Sequence, residues 1–267
     1  MSERGSARVV PARVNYGYGR PRRRGWVRLL RVATGCTVIV VCLSTLAFGG
    51  LLLLTPSAGD ARGIAAAQDA SHQVAYPGPP IPAPFIAALE STEDHRFAEE
   101  PGVDPFAVVK AAVGVLVHTG DPGGATIYQQ LAKMLYTPGQ SGVAVEAKQV
   151  ALAVKLKYSY SGSEILRLYA DVAYYGNGLY GIQAASCGYF GVRPARLSWP
   201  QAAMLAGVVN GPSIDDPLTN PANGRAREEH VISRLVATGT LTRAEASQAL
   251  AVPLSVMLEH AGQGCGA

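Results

Sequence analysis

The chain has 267 residues, enough for one medium domain with accessory segments and too few for two full enzyme domains. Apolar residues make up 48% of it, which makes a packed core available and excludes wholesale disorder. The net charge of +4 is unevenly placed: nine arginines and one acid, Glu3, fall at or before Arg31, and the rest is net acidic. A mildly acidic body argues against nucleic-acid binding.

The basic arm, residues 1–31, is rich in Pro, Gly and Arg and reads as disordered. The run 32–55 follows without a charge. As a helix it measures about 36 Å at ~1.5 Å per residue, enough to cross a ~30 Å hydrocarbon core. Arg20, Arg22, Arg23, Arg24, Arg28 and Arg31 precede it. The positive-inside rule then keeps the N-terminus cytoplasmic and exports the body, giving a single-pass cell-membrane protein. A cleaved signal peptide is the alternative, because Ala58-Gly59-Asp60-Ala61 resembles a cleavage site. Residues 56–83, with Pro77-Gly78-Pro79-Pro80 and Pro82, read as an extended linker.

Residues 84–256 read as a helical body and 257–267 as a flexible tail. Pro84 suits a helix N1 position ahead of Phe85, Ala88 and Leu89. Asp104-Pro105 opens a second helix. Thr126-x-x-Gln129, Ser161-x-x-Glu164, Ser198-x-x-Gln201 and Thr242-x-x-Glu245 are capping-box patterns before apolar runs. Asn220-Pro221 opens a further helix with Val231 and Leu235 on one face. No run alternates for long with period two, and Asn177-Gly178 reads as a helix end. Cys187 and Cys265 sit in no CxxC or zinc-ligand pattern and read as unpaired thiols, with a bridge between them open in an oxidising compartment.

Three clusters can carry chemistry. In Glu93-Asp94-His95-Arg96-Phe97, adjacent acids at a helix end beside an aromatic ring can have a carboxyl raised toward general-base use; a solvated helix end is the plainer reading. In the run from Gly123 to Gln130, glycines entering a helix can offer N–H groups to an anion with Lys133 one turn on. The same run can equally be a loop closed by Thr126 and Gln129. Ala184, Ala185, Ser186 and Gly188 favour tight helix packing. Asn210-Gly211-Pro212-Ser213 is a turn.

In order and spacing, these clusters resemble the peptidoglycan glycosyltransferases, glycosyltransferase family 51. Glu93-Asp94-x-x-Phe97 with Gly102 resembles the family's first motif. Gly123-Gly124-Ala125-Thr126-Ile127-Tyr128-Gln129-Gln130 with Lys133 resembles its second. Glu164-Ile165-Leu166, Tyr169, Tyr175-Gly176-Asn177-Gly178 and Tyr180-Gly181-Ile182 resemble its fourth, and Ala202-Ala203-Met204-Leu205-Ala206-Gly207 with Asn220-Pro221 its last. The third motif, RK-x-x-E, is degenerate. Ungapped counting from Glu164 places Val145, Glu146 and Gln149 at its arginine, lysine and glutamate, with Lys148 on a variable position. A gap would instead make Glu146 the second acid.

The resemblance implies a mainly α, lysozyme-like domain after a single transmembrane helix, acting on lipid II and lipid-linked glycan. It implies Glu93 as catalytic base with Asp94 fixing it, and Thr126, Gln129, Gln130, Lys133, Lys148 and Gln149 on the substrate. It implies no certain cofactor and leaves room for a divalent cation, Mg or Mn, although an amide at Gln149 offers such an ion no negative charge. Cell-wall synthesis proteins are implied as further partners. With no Ser-x-x-Lys in the exported region and no room for a transpeptidase domain, the expected enzyme is monofunctional. Two alternatives remain: an impaired relative that binds lipid-linked glycan or partners without polymerising, and a glycan-cleaving site.

Overall fold

The computed structural model describes residues 23–103, 125–251, 253–256 and 265. The chain divides into two compact units, residues 1–49 and 50–267. The first is dominated by helix α1, Arg23–Leu54, so the helix takes in the last part of the arm read as disordered. Its stretch Leu29–Leu54 is long and apolar enough to cross a membrane. The hydroxyls of Thr34, Thr37 and Thr45 donate to carbonyls four residues back, at 2.8–2.9 Å, so they add no polar stripe to an apolar helix.

The second unit is helical, with no β-strand among the described residues. Its first helix, α2 (Ala61–Ser71), corrects the reading of 56–83 as an extended linker. Within that stretch only residues 56–60 and 72–82 are irregular. Ala58, Ala61 and Ala65 are buried, and Tyr136 and Tyr160 donate to the carbonyls of Ala58 and Gly59 at 3.4 and 2.9 Å. An alanine face packs closely because it has no bulk to accommodate, and it gives little signal in hydrophobic periodicity for the same reason.

Helix α3 (Ala83–Glu93) begins with Pro84 in its first turn and buries Phe85, Ala88 and Leu89. The helix expected from Asp104-Pro105 lies outside the described residues. Then come α4 (Ile127–Tyr136), α5 (Val143–Ser159) and α6 (Gly162–Val172). The capping boxes at Thr126 and Ser161 form as the spacing predicts, as does that at Thr242 opening α10 (Arg243–Leu250). At Ser198, the backbone N–H donates to Gln201 Oε1 at 2.9 Å and opens α8. Between α6 and α7 (Gly181–Phe190), Asn177-Gly178 is the tip of a tight loop, not a helix end. An antiparallel bridge between Tyr174 and Tyr180 closes it, with Gly176, Asn177 and Gly178 all at positive φ.

Helix α8 (Trp199–Val208) is buried from Ala202 to Val208 and forms the centre of the unit, packed against α3 and α9 (Pro221–Ala237). A helix apolar all round is stable only where neighbours cover every face. Gly207 permits the approach of α9: a Cβ there would lie 3.1 Å from Arg227 Cβ. Arg234 on α9 donates to Ser91 O at 3.1 Å, tying α9 to the last turn of α3.

Cys187 and Cys265 form a disulfide, with Cα atoms 5.2 Å apart, which overturns the reading of unpaired thiols and gives the tail a fixed point on α7. Their spacing of 78 residues carries no local signal; only the fold brings them together.

Candidate active site

Glu93 is the last residue of α3. Its side chain is 5% exposed, yet both carboxylate oxygens are engaged by neutral donors. Gln130 Nε2 donates to Oε2 at 2.9 Å, and Asn210 Nδ2 approaches Oε1 at 3.0 Å and Oε2 at 3.2 Å. The amide of Gln130 is oriented from its other end, because Tyr169 Oη donates to its Oε1 at 2.8 Å. Tyr169 is buried, and burial pushes its hydroxyl well above the ordinary tyrosine range, which keeps it a donor. Arg227 Nη2 stands 3.9 Å from Glu93 Oε1. Helices α3, α4, α6 and α9 and the turn after α8 thus meet at one carboxylate.

Asp94 explains how Gln130 reaches it. Asp94 is 6% exposed, and its Oδ2 accepts from the Ile127 backbone N–H at 3.2 Å, at the first residue of α4. An acid at a helix N-terminus satisfies an otherwise unpaired donor and complements the helix dipole. Burial raises the Asp94 pKa, and the N–H bonds from Ile127 and Arg96 pull back against that rise. Asp94 therefore pins the start of α4 to the end of α3.

Thr126 and Gln129 serve the backbone. The Thr126 hydroxyl donates to Gly102 O at 2.9 Å and accepts from Gln129 N–H at 3.2 Å; Gln129 Oε1 accepts from Thr126 N–H at 3.1 Å. Thr126 is 3% exposed and Gln129 is held in the cap, so the geometry favours the capping reading for both. Gly102 has φ +94°, and a Cβ there would lie 2.6 Å from Ala153 O on α5, a contact that excludes a side chain. Gly123 and Gly124, the other half of the suggested anion cradle, lie outside the described residues.

Lys133 is exposed on α4, one turn past Gln130, and Lys148 is half-buried on α5. Neither makes a described hydrogen bond or ion pair with Glu93. Gln149 is engaged elsewhere, since its Nε2 donates to Thr137 Oγ1 at 2.8 Å, at the C-cap of α4. Thr137 lies about two turns, or ~10 Å, along α4 from Gln130. Among the described residues no three His, Cys, Asp or Glu side chains gather as a metal-binding group.

Sequence reasoning missed Asn210, Arg227 and the part played by Tyr169. The Asn210 turn was visible as a turn, but nothing local to it points across the chain to Glu93.

A family model described as Transglycosylase matches residues 61–236. The chain belongs to that family, glycosyltransferase family 51. The transglycosylase match opens at the first residue of α2, which places that helix in the domain. Penicillin-binding protein 1A of Aquifex aeolicus is 34% identical over 185 residues, covering 67% of this chain and 25% of that protein. A Cupriavidus necator protein bearing the transglycosylase name is 33% identical over 174 residues, covering 65% of this chain and 75% of its own. Penicillin-binding protein 2a of Streptococcus pneumoniae is 34% identical over 177 residues, covering 66% of this chain and 24% of its own length. The chain spans about a quarter of the penicillin-binding relatives it matches.

Proposed function

We propose that this transglycosylase-family protein is a membrane-anchored peptidoglycan glycosyltransferase that polymerises lipid II into glycan strands. The observation that carries the reading is Glu93: a sheltered carboxylate at a helix end, oriented at 2.9–3.2 Å by two amides, with Arg227 3.9 Å away. Such a group is oriented to accept a proton from a hydroxyl brought to it.

Glu93 takes the proton of the acceptor sugar's 4-hydroxyl. That oxygen forms a bond to the donor's anomeric carbon as the carbon–oxygen bond to the lipid diphosphate breaks, with inversion. Undecaprenyl pyrophosphate leaves with the bonding electrons. Gln130 and Asn210 hold the Glu93 carboxylate in place, and Asp94 holds α4 against α3. Lys133, with Lys148 in a secondary part, offsets the phosphate charge of the leaving group. The basic stretch before the apolar run of α1 keeps the N-terminus cytoplasmic, so the domain meets its lipid-linked substrate at the outer leaflet. Cell-wall synthesis proteins are the further partners of such an enzyme.

One observation favours a second reading, an impaired relative that binds lipid-linked glycan: the side chain at the second-acid position, Gln149, is an amide bonded to Thr137. Incubating the full chain in detergent with labelled lipid II decides between them. The active reading expects glycan strands from the parent and a loss of about 10²-fold or more in rate with Glu93→Gln. A parent that binds lipid II and makes no strands supports the second reading. Shortening of preformed glycan would mean cleavage and sink both.

A further inference from the structure

Two amides hold Glu93, and they are themselves held differently. Gln130 is engaged at both ends: its Nε2 donates to Glu93 Oε2 at 2.9 Å and to Ala125 O at 3.2 Å, and its Oε1 accepts from Tyr169 Oη at 2.8 Å. Asn210 is engaged at one end. Its single Nδ2 is spread over Glu93 Oε1 and Oε2, at 3.0 and 3.2 Å, and its Oδ1 takes no hydrogen bond from any described residue. The backbone beneath it is firm. The N–H groups of Asn210 and Gly211 turn back to the carbonyls of Gly207 and Val208, at 3.4 and 3.0 Å, at the end of the buried helix α8. Asn210 is exposed, whereas the Glu93 side chain is only 5% exposed. Of the two donors on the base, Asn210 is the one that stands in solvent, on a fixed stem and with an oxygen to spare.

We propose that Asn210 is a substrate-binding residue for the acceptor saccharide: in the free chain its Nδ2 occupies the place on Glu93 Oε1 that the acceptor's hydroxyl takes, and its Oδ1 then accepts from a neighbouring hydroxyl or acetamido N–H of the same sugar. The inference rests on the reading of Glu93 as the general base. A hydroxyl that gives up its proton first donates a hydrogen bond to the carboxylate, at about 3 Å. A carboxylate with so little open surface receives it where an existing donor steps aside. Gln130 cannot leave without stranding the buried Tyr169 hydroxyl, which costs free energy. Asn210 leaves at little cost, because water meets both ends of its amide. Oε2 then stays on Gln130, and Oε1 is the oxygen that takes the proton. An amide carries a donor and an acceptor on one planar group, which the hydroxyl and acetamido groups of a sugar complement. The bound sugar thus changes places with the group that sheltered the base.

The test compares the affinity of the full chain in lipid nanodiscs for lipid II and for undecaprenyl pyrophosphate, which has the lipid and the phosphates but no sugar. It is made in Glu93→Ala, which does not turn lipid II over and leaves Asn210 no carboxylate to hold, so an effect at position 210 is a contact of its own. Adding Asn210→Ala should weaken lipid II roughly three- to tenfold and leave undecaprenyl pyrophosphate unchanged. Adding Asn210→Asp keeps an acceptor at the position, and any effect of its charge on the phosphates falls on both ligands, so the ratio of the two affinities should stay at that of Glu93→Ala. A ratio that falls with Asn210→Ala and holds with Asn210→Asp supports the proposal. A ratio unmoved by Asn210→Ala, including a loss shared by both ligands, overturns it, as does an equal fall in both variants. Glu93→Gln serves as the background should Glu93→Ala fail to fold. A parent chain that binds no lipid II sinks the functional reading and this inference with it, whereas lipid II bound with an unresponsive ratio sinks this inference alone.

Discussion

At Gln149, a single side chain separates the two functional readings. The sequence register puts this residue where the family's third motif carries a glutamate, and the structure shows what the amide does there. Its Nε2 donates to the Thr137 hydroxyl, and that hydroxyl leans at 3.4 Å on Lys133 O, the carbonyl of a residue expected to meet phosphate. In Gln149→Glu the direction of the first bond must reverse, since a carboxylate only accepts and Thr137 would become its donor. The single hydroxyl proton of Thr137 must then leave Lys133 O, which keeps its bond from the Thr137 backbone N–H at 3.2 Å; with the volume unchanged, the fold tolerates this. We expect the melting temperature of Gln149→Glu to stay within a few degrees of the parent, with lipid II polymerisation rising roughly tenfold if a second acid is what the chain lacks. An unchanged rate in a stable variant would show that the missing charge is not limiting. The same scale shows how far the residues could be read. The acids at the end of α3 and the capped start of α4 were legible because both are local patterns; that Gln130 turns to Glu93 was not. Asn210 and Arg227 were not, since both reach Glu93 from more than a hundred positions away. Thr126 and Gln129 were legible twice over, and their capping geometry takes precedence because it satisfies their hydrogen-bonding groups.

At the scale of elements, α2 is the piece that composition concealed. Proline and glycine after Ser71 suggested a linker, and the buried face of α2 is alanine, which has too little apolar area to mark a helix. Its attachment to α6 contains an electrostatic conflict. Asp69 on α2 and Asp171 on α6 are 1% and 3% exposed. Burial raises Asp69 to about 7, with Asp171 adding to the rise, and burial raises Asp171 to about 6 against the pull of the Gly78 N–H and Arg167. Asp171 Oδ2 accepts from Gly78 N–H at 3.2 Å, whereas Asp69 Oδ2 is buried without a partner among the described residues. Both folded values lie above the unfolded aspartate value of about 3.9, so the folded state binds the extra protons. Their contribution to stability is full below about pH 4 and is lost as pH rises through about 6 and then about 7. Asp69→Asn removes the charge that must be buried above that range. Thermal unfolding of the detergent-solubilised chain should show Asp69→Asn melting roughly 3 °C or more above the parent at pH 8, with the gap closing toward pH 5. Equal melting curves at both pH values would mean that the two carboxylates do not meet this conflict.

Across the whole molecule, the helical class, the apolar first helix and the capped helix starts could be read from the sequence, because each depends on spacing within a few turns. The disulfide could not, because it depends on where the chain's last residues return. That bond bears on topology. A cysteine pair stays oxidised on the exported side of a bacterial membrane and is kept reduced in the cytoplasm. Under the proposed topology the N-terminal arginines hold that end in the cytoplasm, and an intact Cys187–Cys265 bond is what an exported body would keep, so the bond's state in cells tests the orientation. Cys36 and Cys42 lie in α1 as free thiols and would confuse the measurement, so it is best made on Cys36→Ser/Cys42→Ser protein in intact cells. After denaturation, a maleimide that adds mass should leave this protein unmodified, and prior reduction should let it take up two labels. Two labels without reduction would place both cysteines on the reducing side, against the arginine rule. The thermal test is separate. Closing a loop of 78 residues restricts the unfolded chain by an amount on the order of 4 kcal/mol, so Cys187→Ser should lower the melting temperature by several degrees. If the bond forms in cells but its loss leaves melting unchanged, the tail is tethered without supporting the fold, and the orientation argument stands by itself.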